Sequence, residues 1–274
     1  MGTVCVEIAV LDDRRLLEAL DSVAVQRRRP DRVLIAASTR TPEPLLTEAK
    51  VRASGIPTDV ARFPGGVVDA RSGSLALLHE ETTAFLDADE RAPPEWLERL
   101  VAPIEGGSAE FTAGPTRPAR PPATPVERYN TLLEASIYHD LVPRSITYVP
   151  LQNTAWKTSV LRSLGFDPRI PYAEDHDLES RAARSGSRGV FLPDAFVYHD
   201  QADSSSLYRW ARKRYRYLVA MAMSLLKNGE LRSRLEERRP PVAHPLRYVE
   251  SAMKPFALVH ASVRWRRLRG ATDG

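Results

Sequence analysis

The sequence is poor in several features that would otherwise decide the class of protein. Its only cysteine, Cys5, stands in an apolar run, which excludes an internal disulfide framework and a multi-cysteine zinc site. We expect Cys5 to be a small buried hydrophobic side chain. The longest apolar run, 218–226, is far shorter than the ~20 residues that cross a bilayer, and the N-terminus has no signal pattern. These absences predict a cytoplasmic protein.

Charge is unevenly distributed along the chain. The 274 residues include 39 Lys+Arg and 35 Asp+Glu, a formal net charge of +4. Residues 207–274 hold 16 basic and 5 acidic residues, a net of +11, so the first 206 residues hold 23 basic and 30 acidic residues, a net of −7. The sequence therefore predicts an acidic body followed by a basic, helical extension.

Short apolar runs alternate with helical patterns in the body. The runs at 4–10, 32–37, 58–62 and 82–86 are typical of buried strands, and further strands are expected at 110–114 and 146–149. Helices are expected between them, and Thr124-Pro-Val-Glu127 has the spacing of a capping box at a helix start. This alternation predicts an α/β fold in which helices cover both faces of a mostly parallel sheet.

Two carboxylates follow the apolar run at 82–86. Asp87 and Asp89 lie at the carboxyl end of that predicted strand, where ligands bind in open α/β sheets. Two carboxylates with this spacing can share a hard divalent cation, which completes its shell with water and phosphate oxygens. A solvated turn is the alternative interpretation.

A second acidic cluster, Glu174-Asp175-His176-Asp177, opens a predicted helix over 174–185. Acidic residues also serve as structural caps at helix N-termini, so capping is an open alternative. His199 follows an apolar run at 195–198, and a histidine beside carboxylates suits a Mn²⁺ site. An ordinary hydrogen-bonded histidine is the alternative there.

In this order the motifs resemble family 2 glycosyltransferases of the GT-A fold. The resemblance covers about residues 3–200 and predicts a Rossmann-like GT-A catalytic domain at 1–203 and a basic helical extension at 204–274. It rests on three motifs: Asp87-Ala-Asp89 after Phe-Leu, Glu174-Asp175-x-Asp-Leu-x-x-Arg181 before Gly186, and Pro193-x-Ala-x-Val-Tyr-His199. The segments that agree with it are Ser22-Val-Ala-Val-Gln26, Pro64-Gly-Gly-Val-Val-Asp-Ala-Arg71 and Leu164-Gly-Phe-Asp167.

The resemblance implies a reaction and a role for individual residues. Asp89 and His199 would bind Mg²⁺ or Mn²⁺, and Asp87 would bind the ribose or a metal-bound water. Asp175 would be the general base that deprotonates a hydroxyl acceptor on a glycan, a lipid-linked molecule or a small molecule. The implied activity is an inverting, metal-dependent transfer of a sugar from a nucleotide-diphosphate donor.

The nucleotide side departs from the family pattern. The resemblance implies that Arg71 and Glu174 lie beside the nucleotide. However, Ala9-Val-Leu-Asp-Asp13 replaces a Pro-x-Tyr-Asn-like turn, Ala36-Ala-Ser38 replaces acidic residues, and Ser72 replaces an asparagine. Two alternatives therefore stay open: a donor other than the common uridine one, and a degenerate sugar-nucleotide-binding or scaffold protein of the same fold. A nucleotidyltransferase is disfavoured because no glycine-rich phosphate loop follows the first strand.

Two further regions have alternative interpretations. The basic extension lacks a nucleic-acid-binding motif, and its arginines flank aromatic residues. This pattern predicts an amphipathic surface that rests on anionic lipid at the inner face of the membrane, and a solvated or homodimer-forming helix is the alternative. Trp156 is expected either to stack on an acceptor sugar or to pack in the core.

Overall fold

The computed structural model describes residues 2–53, 55–139, 150–201, 206–231 and 243–270. Ten strands lie in these residues: β1 (Val4–Val10), β2 (Arg32–Ser38), β3 (Thr58–Phe63), β4 (Thr82–Leu86), β5 (Glu90–Arg91), β6 (Phe111–Ala113), β7 (Thr116–Pro118), β8 (Asn153–Lys157), β9 (Gly189–Phe191) and β10 (Val197–His199). The α-helices are α1 (Leu16–Ala24), α2 (Glu43–Arg52), α3 (Val67–Ser74), α4 (Trp96–Glu105), α5 (Pro125–His139), α6 (Thr158–Leu164), α7 (Glu174–Arg184), α8 (Leu207–Asn228) and α9 (Leu246–Gly270). The strand predicted at 146–149, a helix predicted to end before Pro240 and the domain boundary predicted after residue 203 lie outside the described residues.

Seven strands form the main sheet in the order β3-β2-β1-β4-β8-β6-β9. Strand β8 alone among them runs antiparallel to its neighbours, so the sheet is mostly parallel as the sequence predicts. Successive residues of a strand point to opposite faces. Along β1, Val6 and Ile8 therefore join the core beneath α1, α2 and α4, whereas Cys5 joins the core beneath α6 and α7. Cys5 is a buried free thiol, as expected.

Strand β8 corrects one interpretation of the sequence. Residues 153–157 lie between β4 and β6 in the middle of the sheet, and the Trp156 side chain is completely buried. Its indole stacks on Phe111 with ring centroids 4.3 Å apart. Stacking on an acceptor sugar is thereby excluded, because both faces of β8 are covered and the ring has no exposed surface.

A second, three-stranded sheet has the order β5-β10-β7. Strand β7 lies in the proline-rich segment that the sequence presents as a loop, and β5 follows directly after the Asp87–Asp89 turn. Strands β5 and β7 have two and three residues, too few to show the alternation of apolar and polar residues that predicts a strand. Because β10 pairs with β5, His199 lies opposite Glu90.

Helix boundaries follow the side chains that cap them. The predicted start of α5 is confirmed, since the backbone N–H of Glu127 donates to Thr124 Oγ1 at 3.1 Å. After β1 the sequence predicts a helix to about Arg28 with Asp12-Asp13 as a possible N-cap. In the structure Arg15 is the N-cap and α1 ends at Ala24. Beyond that end, Gln26 Oε1 accepts from the backbone N–H of Leu97 at 3.0 Å, at the start of α4.

The C-terminal helices pack as a hairpin on the body. Helix α8 lies against α7, where Lys227 Nζ is 2.8 Å from Asp177 Oδ1 and 2.7 Å from Asp167 Oδ2. Helix α9 packs along α8 and reaches α5, where the Tyr129 hydroxyl donates to Glu250. No helix in the described part of the chain is long and apolar enough to span a membrane.

One buried amide links the two sheets. Asn153 accepts a hydrogen bond from Trp96 Nε1 at 2.7 Å, and its Nδ2 donates to the carbonyls of Ala195 and Pro115 at 2.8 and 3.1 Å. Those carbonyls lie just before β10 and β7. Asn153 therefore fixes the small sheet to the main one.

We predict that Asn153→Ala lowers the free energy of unfolding by about 2–4 kcal/mol, because it leaves Trp96 Nε1 and the Ala195 carbonyl without their partner and removes one of the two donors to the Pro115 carbonyl. Urea denaturation measures this loss. Gln152→Ala, at the half-buried preceding position, is the control and should change it by less than about 0.5 kcal/mol. Equal losses in the two variants would contradict the role of the Asn153 amide.

Candidate active site

The candidate site begins where the chain leaves β4. The backbone N–H of Asp87 donates to Glu90 Oε2 at 3.1 Å, and the N–H of Glu90 donates to the Asp87 carbonyl at 3.1 Å, which closes a tight turn. The two aspartates of this turn have different partners. Asp87 lies against Arg71, whereas Asp89 lies against His199.

Arg71 joins this turn to the start of α7. The residue lies on α3 with its side chain buried. One terminal nitrogen, Nη1, donates to Glu174 Oε1 at 2.9 Å, and the other, Nη2, donates to Asp87 Oδ1. Both terminal nitrogens of Arg71 thus contact carboxylates of the protein. The predicted contacts of Arg71, Glu174 and Asp87 with a nucleotide stay predictions.

Asp175 occupies the first turn of α7, directly after Glu174. Its side chain is partly exposed, and its Oδ1 accepts from the backbone N–H of His176 at 2.7 Å. Because Arg71 holds Glu174 to Asp87, the first turn of α7 faces the same edge of the sheet as the Asp87 turn. The structure therefore brings the two acidic motifs together.

His199 comes to Asp89 through the small sheet. As the last residue of β10, it has Nε2 3.4 Å from Asp89 Oδ2 and Nδ1 3.2 Å from Glu134 Oε1. Burial lowers the pKa of His199, but the two flanking carboxylates outweigh burial and raise it well above its usual value. His199 is therefore a half-buried, hydrogen-bonded histidine, which agrees with the alternative interpretation, and its role as a metal ligand stays a prediction.

Two residues of the site, Arg15 and Glu134, are not predicted from the sequence. Arg15 has Nη2 3.7 Å from Asp89 Oδ2, and its Nε donates to Asp13 Oδ1 at 2.9 Å. Glu134 lies on α5, 65 positions before its partner His199. The one local signal is the Asp13-x-Arg15 pair just after β1, at the same sheet edge as Asp87 and Asp89.

The residues present fit a divalent cation. Asp89 Oδ2 and His199 Nε2 face each other at 3.4 Å, and carboxylate oxygen and imidazole nitrogen are both ligands of Mn²⁺. Glu134 lies behind the other ring nitrogen, the arrangement that orients metal-binding histidines. Across the described residues no three His, Cys, Asp or Glu side chains form a complete ligand cluster. A cation here would take its other ligands from substrate or water.

A buried carboxyl group lies below the site. Glu7, in the middle of β1, is completely buried, and neither of its side-chain oxygens has a hydrogen-bond partner within the described residues. Burial raises the pKa of Glu7 to about 7, although the guanidinium of Arg71 opposes the shift. The charge on Asp87 adds to the rise in the pKa of Glu7.

A Rossmann-like sheet with paired carboxylates and a histidine at the carboxyl end of a central strand defines a nucleotide-binding class of fold. The chain belongs to glycosyl transferase family group 2, whose family model matches residues 83–269. It is also similar to the pre-mycofactocin glycosyltransferase of Mycobacterium tuberculosis, with 30% identity over 157 residues. That alignment covers 55% of this chain and 33% of the relative, so the chain spans about a third of the length of the curated relatives it matches.

Solved structures confirm the predicted GT-A fold. A mannosyltransferase from Pyrobaculum calidifontis, solved with GDP-Man and Mn²⁺, is 18% identical with a TM-score of 0.64, over 98% of this chain and 76% of that one. TarS from S. aureus, solved with UDP-GlcNAc, is 17% identical with a TM-score of 0.58, over 82% of this chain and 66% of that one. At this identity the likeness shows the fold alone.

We predict that Glu7 makes folding stability depend on pH. The folded protein holds the Glu7 proton up to about pH 7, whereas the unfolded chain releases it near pH 4.5. Stability is therefore lost as pH rises from about 4.5 through about 7. Relative to Glu7→Gln, the native protein should lose on the order of 3 kcal/mol between about pH 5 and about pH 8.

Urea denaturation at the two pH values measures this difference. Because each protein is compared with itself at the two pH values, any pH-independent effect of the glutamine on the free energy of unfolding cancels. Glu98→Gln, at an exposed position of α4, is the control and should run parallel to the native protein. A Glu7→Gln variant that also runs parallel to the native protein would show that Glu7 is ionised in the folded state.

Proposed function

We propose that this chain is an inverting, metal-dependent glycosyltransferase that moves a sugar from a nucleotide-diphosphate donor to a hydroxyl acceptor. One observation carries the proposal: Asp89, in the turn after β4, and His199, at the end of β10, meet at 3.4 Å at the carboxyl end of β4. Membership of glycosyl transferase family group 2 supports it. So do relatives of the same fold that were solved with GDP-Man and Mn²⁺ or with UDP-GlcNAc.

On this proposal Asp89 and His199 hold Mn²⁺ or Mg²⁺. A bound cation would neutralise the negative charge that grows on the departing diphosphate. Asp87 binds the ribose or a metal-bound water. Arg71 and Glu174 complete the donor side, and their ion pair sets the position of Asp87.

Asp175 is the proposed general base. Its carboxylate takes the proton of the acceptor hydroxyl while the acceptor oxygen forms a bond to the anomeric carbon. The bond from that carbon to the phosphate oxygen breaks, and its electron pair leaves with the nucleoside diphosphate. Attack from the side opposite the leaving group inverts the anomeric carbon. The acceptor is a glycan, a lipid-linked molecule or a small molecule.

The altered residues at the ends of β1 and β2 are the reason for the alternative function, a sugar-nucleotide-binding or scaffold protein without catalytic activity. Ala9-Val10-Leu11 and Ala36-Ala37-Ser38 stand where the family commonly places nucleotide-contacting residues. Calorimetric titration with a panel of GDP-sugars and UDP-sugars, with and without Mn²⁺, separates the two functions. A scaffold protein would show no metal-dependent binding of any donor.

We predict that Asp89→Asn weakens Mn²⁺-dependent donor binding at least about tenfold, because it removes the anionic ligand. The same calorimetric titration measures the loss. Asp59→Asn, at an exposed carboxylate of β3, is the control and should bind as the native protein does. Unchanged binding in Asp89→Asn would place the cation elsewhere and refute this assignment.

We predict that Asp175→Asn lowers the rate of sugar transfer by about 10²–10⁴-fold, because the amide cannot accept the acceptor proton. Donor affinity should stay within about twofold, since the amide preserves the shape of the side chain. Release of nucleoside diphosphate in the presence of a panel of hydroxyl acceptors measures the rate, and titration measures the affinity. Loss of donor affinity together with the rate would reduce Asp175 to a structural cap of α7.

A further inference from the structure

Helix α9 exposes an apolar stripe along most of its length. The most exposed side chains in it are Tyr248, Phe256 and Val259, with exposures of 79%, 71% and 66%. Apart from the adjacent pair Tyr248 and Val249, its members recur every three or four residues, and all of them share one face of the helix. We define the α9 stripe as Tyr248, Val249, Ala252, Phe256, Val259 and Val263.

The opposite face of α9 accounts for its packing within the protein. Ala257 and Ala261 are buried against Val219 and Met223 of α8. Glu250, on the same buried side, lies 2.9 Å from Arg214 Nη2. The α9 stripe is thus not needed to hold the hairpin together. An exposed row of large apolar side chains marks a surface for a partner.

The charge around the stripe has one sign. Helix α8 contains six basic and no acidic residues, and α9 contains six basic residues and one acidic residue, Glu250. That single carboxylate is buried and paired with Arg214. The surface of α9 therefore offers positive charge without negative charge. The stripe itself runs into the exposed side chains of Arg266 and Arg267.

We propose that the α9 stripe docks on the surface of an anionic lipid bilayer. An apolar row bordered by arginine and lysine is the arrangement by which a helix lies in the membrane interface, with apolar side chains in the acyl boundary and cations at the headgroups. The helix lies along the surface, since no described helix can span a membrane. This docking does not depend on the proposed reaction, so each can fail without the other.

A second copy of this chain is the competing occupant. Two α9 stripes facing each other would place the positive charge of both copies in one interface, with no exposed acidic side chain on α8 or α9 to pair with it. Like charges at an interface oppose association. An anionic bilayer instead gains from the same positive charge, so the charges favour lipid over a dimer.

Vesicle cosedimentation of the full chain tests the proposal, with vesicles of equal parts phosphatidylglycerol and phosphatidylcholine against vesicles of phosphatidylcholine alone. We expect binding to the anionic vesicles that weakens as salt is raised. Phe256→Ser/Val259→Ser should weaken it about tenfold or more through lost apolar burial. Arg266→Gln/Arg267→Gln should do the same through lost charge.

Matched controls separate the stripe from general surface properties. Val25→Ser/Val51→Ser removes two similarly exposed valines from the body of the protein. Arg14→Gln/Arg91→Gln removes the same net charge from two exposed arginines of the body. Both controls should bind vesicles as the native protein does, and circular dichroism confirms that all variants are folded.

Three outcomes would overturn the proposal. The first is failure of the native protein to bind anionic vesicles at low salt. The second is binding that the stripe variant and the body control lose equally. The third is a dimer in sedimentation velocity that Phe256→Ser/Val259→Ser dissociates while vesicles stay unbound, which would assign the stripe to a second copy.

Discussion

The site depends on one buried guanidinium. Arg71 keeps its charge at any physiological pH, and a buried charge is tolerated only when opposite charges surround it. Asp87 and Glu174 supply those charges from two elements that are distant in sequence, the turn after β4 and the start of α7. Because the Arg71 guanidinium pairs with both carboxylates, the two acidic motifs lie at the same edge of the sheet. Each carboxylate in turn is tolerated there because Arg71 is present.

A second set of contacts places the histidine. His199 belongs to a strand of three residues, which cannot hold its position by itself. Three contacts hold His199 against Asp89. Strand β10 pairs with β5, Asn153 donates to the Ala195 carbonyl just before β10, and the carboxylate of Glu134 lies against the histidine ring. The turn from β4 of the main sheet to β5 of the small sheet thus supplies one half of the candidate cation site, and β10 of the small sheet supplies the other.

Helix α5 connects that site to the C-terminal hairpin. Glu134 of α5 contacts His199, and Tyr129, little more than one turn earlier, donates to Glu250 of α9. The indole N–H of Trp210, on α8, donates to Asn130 of α5 at 3.2 Å. The basic hairpin is therefore fixed to the helix that orients the histidine, and its position is coupled to that of the site through direct contacts.

What the sequence could predict follows from the range of the interactions. The buried strands β1, β2 and β4 are recognisable by their apolar composition, so this part of the sheet and the Asp87–Asp89 turn at its edge are predictable, whereas β8 is buried but has no such composition. Arg15 and Glu134 are not, because their contacts with Asp89 and His199 join residues 74 and 65 positions apart. The burial of Trp156 is not predictable for a different reason. Nothing local shows that residues 153–157 form a central strand whose two faces are both covered.

The uneven charge of the chain now has two physical meanings. In the body, acidic residues at the sheet edge have basic partners close by: Asp87 has Arg71, and Asp89 has His199 and Arg15. These contacts neutralise the negative charge of the two aspartates within the fold, so that charge does not by itself indicate a basic binding partner. On α8 and α9 the one acidic residue, Glu250, is buried beside Arg214 and Lys254, so these two helices carry an excess of positive charge. This excess of positive charge can act on an anionic molecule over a distance.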